Sequence, residues 1–255
     1  MRIARFSHNG VVSFGNVLGE GTDAQLAVLH GNPMLGLTEP TGEHIALADV
    51  QLLPPSEPSK IVCVGKNYGA HIAEMGLVGS AEPTIFLKPP SALIGAGQAI
   101  VLPRQSSQVE LEVELAMVIG HVTRNVSEAD ALGAVWGYTI ANDVTARDLQ
   151  ATDDQWMRSK GFDTFCPVGP WVETDWVPAQ QRIWSEVDGE VRQDDLLGSM
   201  IFDVPRIISH ISQNMTLLPG DIVLTGTPSG ISGIASGQVV KCGVDGIGVL
   251  RNPVI

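Results

Sequence analysis

Basic residues are scarce in this chain. Fifteen Lys and Arg stand against 28 Asp and Glu, a formal net charge of −13. Binding to a phosphate backbone needs clustered cations that release its counterions, so nucleic acid is not an expected partner. Cysteine is scarcer still. Cys63, Cys166 and Cys242 are far apart, odd in number and without C-x-x-C spacing. Neither a disulfide framework nor a thiolate zinc site is indicated, and a reducing cytoplasm fits best. No uninterrupted apolar stretch is long enough to span a bilayer, and MRIARFSHNGVV at the start has no apolar core of signal-peptide length. The expectation is a cytoplasmic protein with no membrane partner. The phosphate-loop pattern G-x-x-x-x-G-K-[ST] is missing, so the glycines of LTGTPSG read by themselves as a Gly-Pro turn.

What the chain does have is turn chemistry. Asn9-Gly10, Asp188-Gly189 and Asp245-Gly246 each separate two strand-like runs and predict tight hairpins, whose central residues need positive φ. Helical signals are fewer. VSEADALGAV offers Ser127 as an N-cap with Asp130 three residues on, and DVPRIISHISQNM offers Asp203. HIAEMG, from His71, predicts a short helix stopped at Gly76. The balance is α+β and sheet-dominated. At 255 residues the chain can build one substantial core. LLPPSEPSK, over 52–60, interrupts the pattern and predicts a boundary between a small hairpin-based N-terminal domain, 1–55, and a main domain, 56–255.

The most suggestive stretch is QVELEVELAMVIG, residues 108–120. On a strand Glu110, Glu112 and Glu114 project to one side and Val109, Leu111, Val113 and Leu115 to the other. Taken alone, this reads most simply as a half-exposed strand with a solvated acidic face. The sequel AMVIG is apolar on both faces, however, and suggests a buried strand end. Carboxylates converging there would repel one another and rise in pKa unless a cation compensated. A hard, oxygen-seeking ion such as Mg²⁺ or Mn²⁺ would serve; few histidines and no nearby thiolates disfavour zinc. In GYTIANDVTARDLQ, Asp143 ends a strand-like run and could be a third acid or a helix N-cap. Arg147 could receive a substrate carboxylate through its planar fork, or belong with Asp148 to a surface polar cluster.

Six blocks in order, VGKNYGAHIAEMG, PTIFLKPPSALIG, VELEVELAMVIG, GYTIANDVTARDLQ, SKGFDTFCPVGPW and PGDIVLTGTPSG, resemble the fumarylacetoacetate hydrolase family in its short bacterial two-domain form over residues 57–250. The resemblance implies a mixed β-sandwich roll with few short helices and a small N-terminal β appendage. It implies Mg²⁺ or Mn²⁺ held by Glu112, Glu114 and Asp143, with Glu110 outside the ligand set at the site's edge. It places His71 and Glu74, three residues apart on one helix face, as a water-activating dyad on a lid; without it, His71 would read as a surface residue in a helix pair. It assigns Lys160 to the substrate's oxygens and their developing charge, and Arg147, Gln150 and Thr227 to substrate binding. Lys88 falls in a matching block without an assigned role. The segment ATDDQWMRS between Gln150 and Lys160 is compact compared with acylpyruvase-type relatives, so that wall of the substrate site is expected to differ. The implied substrate is a small 2-oxo acid and the implied assembly a homodimer. Three outcomes follow from one metal-stabilised enolate: hydrolysis of a carbon–carbon bond in an acylpyruvate or fumarylpyruvate, isomerisation of a hydroxymuconate-type diene, or decarboxylation of oxaloacetate. A non-catalytic protein that binds a metal and dicarboxylates is the reading from another class.

Overall fold

The computed structural model describes the whole chain, Met1–Ile255. Its centre is the strand Val113–Ile119, every residue of which is buried. The strand lies in a mixed twelve-stranded sheet between Val135–Asn142 and Ile222–Leu224, both antiparallel to it. Alternation then divides its side chains. Val113, Leu115, Met117 and Ile119 face a large core shared with a four-stranded antiparallel sheet formed by Arg182–Leu196 and Val239–Pro253. Ala116 faces a second, smaller core with Ile61, Cys63, Ala141, Cys166 and Leu224. This is a mixed, sheet-dominated sandwich, as the α+β expectation and the family resemblance required.

Residues 1–55 add an antiparallel run, Arg2–His8, Val11–Leu18, Gln25–Leu29 and Pro40–Ala46, to the edge of the large sheet. Arg2 and Ile3 pair with Glu173 and Val172. Their own small core is Ala4, Phe6, Val17, Leu26 and Val28.

Two predicted hairpins have two-residue turns, Asn9-Gly10 and Asp188-Gly189, with all four residues at positive φ. The third differs. Val244 pairs with Gly248, so the loop spans Asp245, Gly246 and Ile247, and only Gly246 of these is left-handed. The Ile247 amide closes the turn on the Val244 carbonyl at 3.1 Å, and Gly246 takes its third position, where a type II turn needs positive φ. The helices are α1 (Gly69–Glu74), α2 (Arg147–Thr152), α3 (Met157–Lys160) and α4 (Val204–Asn214). Asp203 caps α4 through the Arg206 amide at 3.0 Å, and α1 ends before a left-handed Gly76. The stretch from Ser127 is not an α-helix. The Ser127 hydroxyl donates to the Asp130 carboxylate at 2.6 Å instead of capping a backbone amide, and only a 3-10 turn forms at Ala131–Ala134.

One detail of topology places the site. At two points the chain steps directly between the large sheet and a small three-stranded sheet, in which Val109–Leu111 pairs with Thr145–Ala146 and with Ser232–Gly233. Glu112 is the single residue at one crossing; Asp143 and Val144 form the other.

Candidate active site

Sheet register alone brings three acids together. Val113 is opposite Asn142 and Glu114 opposite Ala141, so Glu112 and Asp143, one step further, face the same side as Glu114. The two crossings are tied: the Asp143 amide donates to the Glu112 carbonyl at 2.9 Å, and the Glu112 amide to Asn142 Oδ1 at 2.9 Å. Carboxylate oxygens of Glu112, Glu114 and Asp143 lie within 4.8 Å of one another, all buried. The reading of a half-exposed acidic strand fails here: Glu112 and Glu114 are buried, and even Glu110, in the small sheet and bonded to Arg147 and Gln108, is only 8% exposed.

Three cations answer these charges. Lys160 Nζ donates to Glu112 Oε2 at 2.8 Å and to Asp143 Oδ2 at 2.6 Å. Lys88 Nζ donates to Asp143 Oδ1 at 2.6 Å and to the Val144 carbonyl at 3.1 Å. Arg147 spends its fork on Glu110 through Nε at 2.7 Å, on Glu112 through Nη2 and on Gln150 through Nη1. Burial pushes the Glu112 carboxyl up, but Lys160 and Arg147 overcome it and hold the acid well below its usual range. Lys160 is the converse: burial disfavours its charge, and Asp143 and Glu112 more than restore it.

Glu114 has no such partner. Its side chain accepts one hydrogen bond, from the Gly226 amide at 2.6 Å, and makes no ion pair. Burial first, then Asp143 and Glu112, drives its carboxyl far above the usual carboxylate range. An uncompensated buried carboxylate beside two others is expensive unless a further cation joins them. An all-oxygen donor set suits a hard divalent ion and not zinc or copper. The residues therefore fit a divalent metal.

The three carboxylates line a cavity of ≈ 310 Å³, at the small end of the range for ligand pockets, roughly 300–1,000 Å³. His71, on α1, lines the same cavity together with Met75 and Leu77. Its Nδ1 lies 3.2 Å from Glu74 Oε2, and Glu74 Oε1 accepts from the Gly230 amide at 3.0 Å. Phe86 and Trp156 supply an apolar wall, edge to face at 5.3 Å, and Lys160 Nζ stands 5.2 Å from the Phe86 ring centre.

The C-terminal model of fumarylacetoacetate (FAA) hydrolase matches residues 60–255, and a model described as Rv2993c-like, N-terminal, matches 1–55. The chain belongs to the fumarylacetoacetate hydrolase family. Within that family it is 47% identical to Protein Rv2993c of Mycobacterium tuberculosis, over 100% of this chain and 98% of the relative. It is 44% identical to a mitochondrial oxaloacetate decarboxylase of Dictyostelium discoideum, over 74% of this chain and 89% of the relative. Among solved structures, a 5-carboxymethyl-2-hydroxymuconate delta-isomerase from Mycobacterium smegmatis superposes with a TM-score of 0.93 at 45% identity, covering 100% of this chain and 99% of that one.

All nine residues singled out from the sequence gather around this one fumarylacetoacetate hydrolase-type cavity. Eight line it: His71, Glu112, Glu114, Asp143, Arg147, Gln150, Lys160 and Thr227; Glu74 stands behind His71. The three expected to bind substrate are already engaged: Arg147 as above, Gln150 by accepting from it, and Thr227, which donates its hydroxyl to the Val113 carbonyl at 2.9 Å and accepts from Gln193 Nε2 at 2.7 Å. From sequence, Lys88 carries no role, Glu110 stands only at the site's edge, and Gln193 and Lys66 do not emerge, since a long-range ion pair leaves no mark in spacing. Lys66 lies within a matching block, and its one signal is conformational: φ is +60°, a left-handed backbone at a non-glycine residue. Such a conformation costs about 1–3 kcal/mol and persists only where the surroundings over-determine it.

Proposed function

We propose that the protein is a divalent-metal-dependent hydrolase, served by Mg²⁺ or Mn²⁺, that cleaves a carbon–carbon bond in acylpyruvate- or fumarylpyruvate-like diketo acids. The observation that carries this reading is His71, lining the same cavity as the three carboxylates, with Glu74 Oε2 behind it at 3.2 Å from Nδ1. A divalent ion held by Glu112, Glu114 and Asp143 would polarise the 2-oxo acid and stabilise negative charge developing on its enolate.

The remaining steps belong to the chain's own residues. A carboxylate at His71 Nδ1 fixes the tautomer that carries its proton there, which leaves Nε2 as the base. His71 takes a proton from water at Nε2, and the hydroxide adds to the carbonyl distal to the 2-oxo acid. The bond between that carbon and the next breaks, and its electron pair passes to the pyruvate fragment. His71 then returns the proton to the methylene carbon of the pyruvate fragment, giving pyruvate, while the attacked carbon leaves as a carboxylic acid. Glu74 stabilises the imidazolium meanwhile, and its bond to the Gly230 amide holds the pair in position. Lys160, braced by Glu112 and Asp143 through two of its three donors, would meet the substrate's oxygens with the third. Arg147 orients Glu112 and, with Gln150 and Thr227, shapes the substrate's end of the cavity.

A second reading is isomerisation of a hydroxymuconate-type diene, in which the dyad relocates a proton without adding water. It is favoured by the name of the structure that matches over the full length at 45% identity. Protein stripped with chelator and resupplied with Mg²⁺ or Mn²⁺ should regain turnover on acylpyruvates within a panel that includes oxaloacetate and hydroxymuconate-type dienes. Turnover confined to the dienes transfers the assignment to the second reading. Turnover without metal, or none on any 2-oxo acid, ends both.

A further inference from the structure

The cavity has three permanent cations on its wall, and two of them are already paired with its own acids. Arg147 is bound to Glu110, Glu112 and Gln150, and Lys160 to Glu112 and Asp143. The third, Lys66, makes no ion pair or side-chain hydrogen bond, although it lines the same space and is half-buried. We infer that Lys66 is the specificity-determining contact for a second carboxylate, so that the preferred ligands are 2-oxo acids carrying an anionic group at the far end. This rests on the reading of the cavity as a 2-oxo acid site.

The placement of Lys66 is built rather than incidental. It follows the strand Ile61–Gly65 at φ +60°, and the residue after it is fastened on every side. Asn67 Nδ2 donates to the Phe202 carbonyl at 2.9 Å and the Thr225 carbonyl at 2.7 Å. Its Oδ1 accepts from the Phe202 amide at 2.7 Å, and its own carbonyl from the Ile201 amide at 2.8 Å. Gly226 completes the clamp, because a Cβ there would meet Asn67 Cβ at 2.7 Å. The same Gly226 gives its amide to Glu114. One glycine thus fixes the distance between the backbone that bears Lys66 and the acid cluster. A left-handed residue held this firmly beside a cavity is where functional strain is found.

The chemistry of the far end follows from charge. With the 2-oxo acid head at the acid cluster, the apolar surface left to the carbon chain is that of Phe86 and Trp156, and Trp156 packs on Gly65, the residue before Lys66. A second carboxylate brought into this half-enclosed, partly apolar space loses hydration and needs a cation. Lys66 is the cation without another partner, and a charge-assisted hydrogen bond from it would favour the dicarboxylate by on the order of 10- to 100-fold.

Calorimetry on the Mg²⁺-loaded protein with 2-oxoglutarate and 2-oxopentanoate, which share a carbon skeleton and differ in the terminal carboxylate, tests this directly. The wild type should bind 2-oxoglutarate more tightly. Lys66→Met should weaken 2-oxoglutarate by on the order of 10- to 100-fold, leave 2-oxopentanoate within roughly 3-fold, and Lys66→Arg should restore most of the difference. Absence of a preference in the wild type, its survival in Lys66→Met, or an equal loss on both ligands would each overturn the assignment; the last would mark Lys66 as structural. The same three proteins, assayed on fumarylpyruvate and acetylpyruvate, should show the selectivity in KM more than in kcat. A wild type that turns over neither substrate defeats the proposed reaction but not the Lys66 assignment, which the binding preference decides.

Discussion

Replacing Glu114 with Gln should make the metal-free protein more stable and the metal-loaded protein no better than metal-free. Glu114 is 1% exposed, makes no ion pair, and sits within 4.8 Å of Glu112 and Asp143. Two unit charges at that distance repel by roughly 3 kcal/mol at an effective dielectric constant of about 20. Lys160 offsets part of this, leaving about 1–3 kcal/mol to be recovered when the charge is removed. Gln keeps the shape and an oxygen for the Gly226 amide. The sign with pH is fixed. A carboxyl raised in the folded state binds its proton more tightly there, so its contribution is fully present below the unfolded value of 4.5 and is lost as pH rises through the folded value. Thermal unfolding in chelator should therefore show Glu114→Gln melting higher than wild type by about 2–10 °C at pH 8, the gap closing toward pH 4. Added Mg²⁺ at a hundred times its dissociation constant stabilises the wild type by about 2.7 kcal/mol, and the variant should lose that response. A variant that melts lower without metal would refute the claim of an uncompensated charge. One that keeps the Mg²⁺ response would refute Glu114 as a ligand.

Three further outcomes are expected. His71→Ala should reduce acylpyruvate hydrolysis by about 10²–10⁴-fold while oxaloacetate decarboxylation, which needs no attacking water, falls far less; equal losses in steady-state assays would count against the dyad. Asp221, fully buried, accepts from the amides of Ser59, Lys60 and Leu218 and pairs with Lys60. Burial pushes its carboxyl up, but Lys60 and these amides bring it below the ordinary 3.8. Its stabilisation is thus present above that value and lost as pH falls through the lower folded value, so Asp221→Asn should cost about 2–4 kcal/mol at pH 7 in urea titrations and progressively less as pH falls below 3.8. Gly226→Ala forces a side chain onto φ +98° and to 2.7 Å from Asn67 Cβ; it should lower Tm by about 5–15 °C in calorimetry, and an unchanged melt would show that the clamp is soft.

Legibility from sequence followed the range of the forces involved. The hairpins at Asn9-Gly10 and Asp188-Gly189 could be read because positive φ is a local requirement with few residue types to meet it. Asp245-Gly246 misled by one residue because the same dipeptide also serves a longer loop whose left-handed position is the glycine alone. Ser127 misled because its hydroxyl found a side-chain acceptor in Asp130 that competes with a backbone cap. At the site, alternation correctly placed Glu112 and Glu114 on one side. It could not show that the strand breaks at Glu112 or that a second sheet buries Glu110, since both follow from pairings with Thr145–Ala146 and Ser232–Gly233 far along the chain. The third acid needed the ordered blocks, because only the register with Val135–Asn142 brings Asp143 across. Lys88 reaches Asp143 over 55 positions in sequence, a separation at which no local pattern survives.

The two crossings between sheets have a mechanical consequence. Glu112 and Asp143 are the seam along which the three-stranded sheet is sewn to the large one, and the carboxylates sit on the stitches. Whatever cation spans them acts as a rivet through both layers, so occupancy should be felt well beyond the cavity. Amide hydrogens of Val109–Leu111 and Thr145–Ala146 should exchange more slowly once Mg²⁺ is added, although neither strand contains a residue of the acid triad. Loosening of that small sheet, by heat or by substitution at Ser232–Gly233, should in turn weaken metal affinity by the same free energy, since linkage runs both ways.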